Sequence, residues 1–203
     1  MMHIPDGILS APVLVGGAVA AAAGVGLALR RIDERAIPRV AILAAVFFAG
    51  SLIAVPVGPS SVHLVFGGLM GVMLGLGIFP AVLVALVLQA VLFGFGGLTT
   101  LGVNTFNIAL PGALLGGLLG PMIRRASPPG AAALAAVAGA GSVVGNGVLV
   151  ALTLRLSSPD YAPVASVVVA TYLPLVLVEG AITAFAAGFL ARVKPDALSP
   201  QLT

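Results

Sequence analysis

Residues 11–29 read APVLVGGAVAAAAGVGLAL and are followed at once by Arg30 and Arg31. The stretch carries no charge. As a helix it would run about 28 Å, close to the thickness of a bilayer's hydrocarbon core. It does not have the pattern of a secretory signal, because no Lys or Arg precedes it and the basic cluster Arg30, Arg31 and Arg35 comes after it. We read it as a retained membrane helix whose N-terminal end lies outside the cell.

The rest of the chain has the same character. Of 203 residues, 60% are hydrophobic and 7% charged, and the mean hydropathy is +1.22. A soluble domain of this size could not bury that much apolar surface, so an all-α integral membrane protein is expected. The 27 glycines suit helices that approach closely in a membrane. The absence of Cys excludes disulfides and thiolate metal sites, and the absence of Trp leaves any interfacial aromatic belt thin. A pI near 10.2 comes from nine basic residues against six acidic ones. That small excess does not point to nucleic acid.

Taken in order, further apolar segments fall at about 37–55, 62–76, 79–93, from 108 to about 123, 131–154 and 164–191. With the first, this gives about seven transmembrane helices in a single domain, 1–203. Residues 1–10 form an outer N-terminal segment, 11–191 the bundle and 192–203 a cytoplasmic tail. The third segment is short for a full span and holds glycines at 67, 68, 71, 75 and 77. The seventh is interrupted by Pro174 and carries Glu179 in mid-membrane, where an acid usually faces the bundle interior. With the N-terminus outside and the C-terminus cytoplasmic, the inner loops and tail hold Arg30, Arg31, Arg35, Arg39, Arg124, Arg125, Arg192 and Lys194. The outer loops hold only Arg155. That asymmetry follows the positive-inside rule.

Three unusual stretches then share the outer face: Met1-Met2-His3-Ile4-Pro5-Asp6-Gly7, the loop before His63, and the Gly/Thr/Asn run 94–107. A terminal amine, the backbone amides next to it and an imidazole can enclose one ion in a square plane, the geometry of nickel(II) or copper(II). From Met1, the amine, the amides of Met2 and His3 and the His3 Nδ1 close a four-nitrogen plane. From Met2, three nitrogens are available and His63, read as opening the third helix, supplies the fourth. Deprotonated amides would make affinity rise with pH. Thr99, Thr100, Asn104 and Asn107 are candidates to hydrogen-bond the imidazoles as outer-shell groups, and Asp6 to accept from a ligand His or a backbone amide. The ordinary alternative is that these Thr and Asn residues are interhelical glue. The glycines at 96, 97 and 102 are not a phosphate loop, since no GK[ST] follows. We find no nucleophile triad or HExxH pattern. The chain is expected not to be an enzyme, to use no ATP itself and to hold no permanent cofactor.

MHIPDG at the N-terminus, SSVHL at 60–64, GGLTTLGVNTFN at 96–107 and LPLVLVEGAITAF at 173–185 together resemble the CbiM/NikM family. These are the substrate-capture components of energy-coupling-factor transporters for cobalt and nickel. The resemblance covers most of the chain. It implies a seven-helix, N-out membrane protein whose transported ion is held by the N-terminal amine, the following His and a second His. Here those are Met1 or Met2, His3 and His63. Family members typically begin Met-His, so the extra Met1 leaves the coordinating amine open, and the reading favours Met2. The resemblance also implies partners: a transmembrane coupling subunit, ATP-binding cassette ATPase subunits and often a small additional membrane subunit. It implies a place in the cytoplasmic membrane. The rival readings are a vitamin-binding capture protein and a purely structural polytopic protein. Amide deprotonation favours nickel, while the family uses similar ligands for both metals.

Overall fold

The apolar segments fold as helices, and the turn-forming breaks between them set their ends. A computed structural model describes residues 3–57 and 60–200. Its elements are α1 (Ala11–Leu29), α2 (Ile37–Ser51), a β-hairpin of β1 (Ala54–Val57) and β2 (Ser60–His63), α3 (Gly67–Leu74), α4 (Ile78–Phe93), α5 (Leu101–Arg125), α6 (Pro128–Ser157), α7 (Ala162–Thr171) and α8 (Leu173–Val193). Among the described residues, five stretches are long and apolar enough to cross a membrane: Ala11–Leu29, Gly67–Phe93, Leu101–Arg125, Pro128–Ser157 and Leu173–Val193. Large apolar side chains such as Leu118, Leu177 and Phe185 stand outward, 69%, 73% and 79% exposed. In a bilayer these face lipid rather than water.

Three expectations change. The second segment stops at Ser51, and the chain turns extended before His63. β1 and β2 pair antiparallel with Ala54 opposite His63 and Val55 opposite Val62, in keeping with the β preference of Val. His63 therefore ends a strand instead of opening a helix. The third segment forms the eight-residue α3, followed by a 3-10 turn at Gly75–Gly77 that leads into α4, and the apolar stretch Gly67–Phe93 runs through all three. The seventh is divided at Tyr172 into α7 and α8. Pro174 does not interrupt a helix; it lies in the first turn of α8, where a missing N–H is tolerated.

The bundle has two unlike ends. At one, Ile4 and Leu9 pack with Val103, Val150 and Leu154. At the other, Val72, Ile123, Ala131 and Leu198 pack together, and Arg39 donates to the Ser199 carbonyl at 2.6 Å. Arg124 and Arg125, in the last turn of α5, belong to this second end. The polar N-terminal segment and the basic residues Arg39, Arg124 and Arg125 are thus separated by the length of the helices.

α3 lies inside the bundle, with Gly67, Gly68, Gly71, Val72 and Leu74 all buried. A β-carbon at Gly68 would overlap the backbone of Ala138 and Gly139, and one at Gly71 would overlap the Gly112 carbonyl. Backbone therefore rests on backbone, the packing expected of small residues between membrane helices. Because Gly67 sits beside Ile108 and Ser142, the link 64–66 from β2 to α3 runs into the middle of the bundle outside any helix or strand. Unpaired N–H groups are costly there. Glu179, fully buried on α8, accepts from both Val65 N and Phe66 N through one oxygen, at 2.5 and 2.8 Å.

Candidate metal centre

His3 and His63, sixty positions apart in sequence, meet at the first end of the bundle. Their Nε2 atoms are 3.1 Å apart and their ring centroids 4.8 Å apart, with the planes at 50°. Both residues are buried, 4% and 8% exposed. Burial lowers the pKa of each, His3 to about 3 with the neighbouring His63 as the second cause, and so favours the neutral form of both imidazoles. Neutral imidazoles are what a divalent ion requires.

The hydrogen bonds also fix the tautomers. His63 Nδ1 lies 3.0 Å from the Leu64 carbonyl, which can only accept, so Nδ1 carries the proton and Nε2 the lone pair. In the His–His contact, His3 Nε2–H must then donate. That leaves the His3 Nδ1 lone pair, which is buried with no hydrogen-bond partner. This is the nitrogen expected to chelate together with its own backbone.

The N-terminal segment is held through its backbone. Asn104 on α5 pairs with both groups of Ile4: Ile4 N donates to Asn104 Oδ1 at 3.1 Å, and Asn104 Nδ2 donates to Ile4 O at 3.0 Å. Thr100 Oγ1 adds a 2.7 Å bond to the same carbonyl. Asp6 accepts from Leu98 N at 3.2 Å, Thr99 N at 3.0 Å and the Thr99 hydroxyl. Bonding to Thr99 keeps its carboxyl below the usual range. Two glycines permit this closure. Gly96 has φ +75°, and a β-carbon there would press on His3 Cβ at 3.3 Å; one at Gly97 would overlap the Asp6 carboxylate.

These placements correct the expected outer shell. Asn104, Thr99 and Thr100 bond the backbone and Asp6, not the imidazoles. Asp6 takes the backbone option. Asn107 is buried but turned away: its Nδ2 reaches Thr153 Oγ1 on α6 at 3.5 Å. The expected donors at Met1 and Met2 lie outside the described residues.

Sequence reasoning missed Gln89. It is fully buried on α4, donates to Ser51 Oγ at 2.7 Å and lies beside His3, favouring its protonated form. Yet its Oε1 has no hydrogen-bond partner. The signal was available, because Gln89 is the one amide in the apolar run IFPAVLVALVLQAVLF.

Fold and site together define a class: a multi-pass membrane protein with a buried pair of imidazoles at one end of a helix bundle. The family follows from comparison. Residues 3–197 match CbiM, the cobalt uptake substrate-specific transmembrane region, and the chain belongs to that family. It is 34% identical over 213 residues to the cobalt transport protein CbiM of Sorangium cellulosum, covering 97% of this chain and 94% of that one. It is 30% identical over 225 residues to the fused nickel transport protein NikMN of Rhodobacter capsulatus, covering 98% of this chain and 65% of the relative. A crystal structure of a truncated transition metal transporter shares the fold, with a TM-score of 0.68 at 23% identity over 93% of this chain and 95% of that one. The chain is thus a membrane component of a cobalt and nickel transport family.

Proposed function

We propose that the chain captures nickel(II) or cobalt(II) at the His3 end of the bundle, on the extracytoplasmic side of the cytoplasmic membrane. The ion then passes inward with a transmembrane coupling subunit and ATP-hydrolysing partners. The observation that carries the reading is the His3–His63 pair: two buried imidazoles, sixty positions apart in sequence, whose Nε2 atoms are 3.1 Å apart. Backbone nitrogens at and before His3 complete the ligand set, with His3 Nδ1 as the chelating ring atom. The side assignment is supported by charge. Eight of the nine basic residues lie in the loops, helix ends and tail that this orientation makes cytoplasmic.

Calorimetry with nickel and cobalt salts on detergent-purified protein tests the capture step and ranks the two metals. Tight binding of at least one is expected; no binding of either would remove the reading. The chain has no Cys, so single substitutions Ser127→Cys and Ser158→Cys report orientation directly. Only Ser158→Cys should react with an impermeant maleimide added outside cells. The reverse pattern would put the site on the cytoplasmic side.

A further inference from the structure

We infer that Glu179 is a positioning residue for this site: from α8, which supplies no expected ligand, it fixes the backbone that carries His63. The inference rests on the capture reading for its consequence but not for its geometry. Three observations converge on it. First, Val65 N and Phe66 N, two and three residues past His63, both donate to Glu179 Oε1, across 114 and 113 positions of sequence. Second, the turn they hold is strained. Phe66 has φ +53°, unusual for a bulky side chain, and its ring lies where Gly50 alone leaves room. Such a conformation persists only where its surroundings over-determine it, and Phe66, as the residue at the start of α3, has no side chain able to cap it.

Third, the two ends of the link are held differently. Below it, α3 is locked by backbone contact at Gly68 and Gly71. Above it, an apolar cleft lined by Val62, His63, Leu64, Pro174, Leu175 and Val178 lies between the strand end and α8. α3 is thus seated on α5 and α6 by backbone contact, whereas a cleft separates the His63 strand end from α8. Glu179 is a polar tie between them. A shift of α8 along α3 would therefore release Val65 and Phe66 and turn His63 away from His3. In this way a helix contributing no ligand sets whether the ion is held.

Metal-free protein in detergent can be tested with diethyl pyrocarbonate, which modifies accessible imidazoles; with only two histidines in the chain, mass spectrometry assigns each rate. We expect His63 to react at least about tenfold faster in Glu179→Ala and within about twofold of native in Glu179→Gln, which keeps an acceptor oxygen for both N–H groups. Nickel affinity should fall in the same order, by about tenfold or more for Glu179→Ala and about threefold or less for Glu179→Gln. If Glu179→Ala does not fold, Glu179→Asp, too short by one methylene to reach both amides, takes its place. A folded Glu179→Ala or Glu179→Asp protein with native His63 reactivity would overturn the inference. If native protein binds no metal, the capture reading fails while the reactivity result still decides the role of Glu179.

Discussion

His3 and His63 are held by two devices of opposite kind. Each is fixed through the backbone that follows it. For His3 the holder is a neutral amide, Asn104, near the start of α5, matched to both groups of Ile4 like a strand partner. For His63 it is the carboxyl group of Glu179, about two turns into α8, with two N–H groups on one oxygen. The first clamp is local to the end of the bundle and reinforced by Thr100, Asp6 and the glycine loop. The second reaches that end from the interior. The difference separates two tasks: one clamp seats the N-terminal segment, and the other links the site to helix packing.

The harshest way to break the comparison is to remove the imidazoles themselves. His3→Ala should abolish tight nickel or cobalt binding in calorimetry while circular dichroism stays native. His63→Ala should weaken it by about 100-fold or more, beyond the loss typical of outer-shell groups. Unchanged affinity in either folded variant would dismiss that residue as a ligand.

A sharper comparison comes from Asn104→Ala. It removes both bonds to the Ile4 peptide and leaves α5 otherwise intact. We expect metal affinity to fall by about 10- to 100-fold, less than for His63→Ala. His3, not His63, should become reactive to diethyl pyrocarbonate. If His63 responded equally, the two clamps would be one coupled unit and the division of labour drawn above would be wrong.

How much of this was legible follows from the range of the interactions involved. The membrane class, the unlike ends and the meeting of His3, His63 and the glycine-rich run could all be read from local composition, charge placement and motif chemistry. The hairpin at 54–63 could not be separated from the flanking apolar segments, because Val-rich residues serve a strand or a buried helix equally well over so short a run. The actual partners of Asn104 and Glu179 were hidden for a different reason. Ile4 N and Phe66 N are backbone groups 100 and 113 positions away, and any residue type at those positions offers the same N–H. Asn107 misled because a spacing of three places two side chains near one another on a helix only approximately, at about 100° per residue. One turned to Ile4 and the other to Thr153.

The smallest expected effect concerns Asp6, which ties the N-terminal segment to the glycine loop at the surface. Its carboxylate accepts from Leu98 N, Thr99 N and the Thr99 hydroxyl, and these bonds hold its pKa below the ordinary value of 3.8. A depressed pKa means that the ionised form favours the folded state. The contribution is complete above the unfolded pKa and is lost as pH falls through the folded one. Asp6→Asn keeps a single acceptor oxygen and loses the charge. Because the residue is exposed and water can replace what is lost, metal affinity at pH 7 should drop only about two- to fivefold, near the lower edge of outer-shell effects. In metal-free protein, the thermal stability of native and Asp6→Asn chains should differ at pH 5 to 7. The two curves should converge as pH falls below the usual carboxylate range. Curves that stay parallel down to that range would show that the side chain acts through shape alone. The N-terminal clamp would then rest on Asn104 and Thr100.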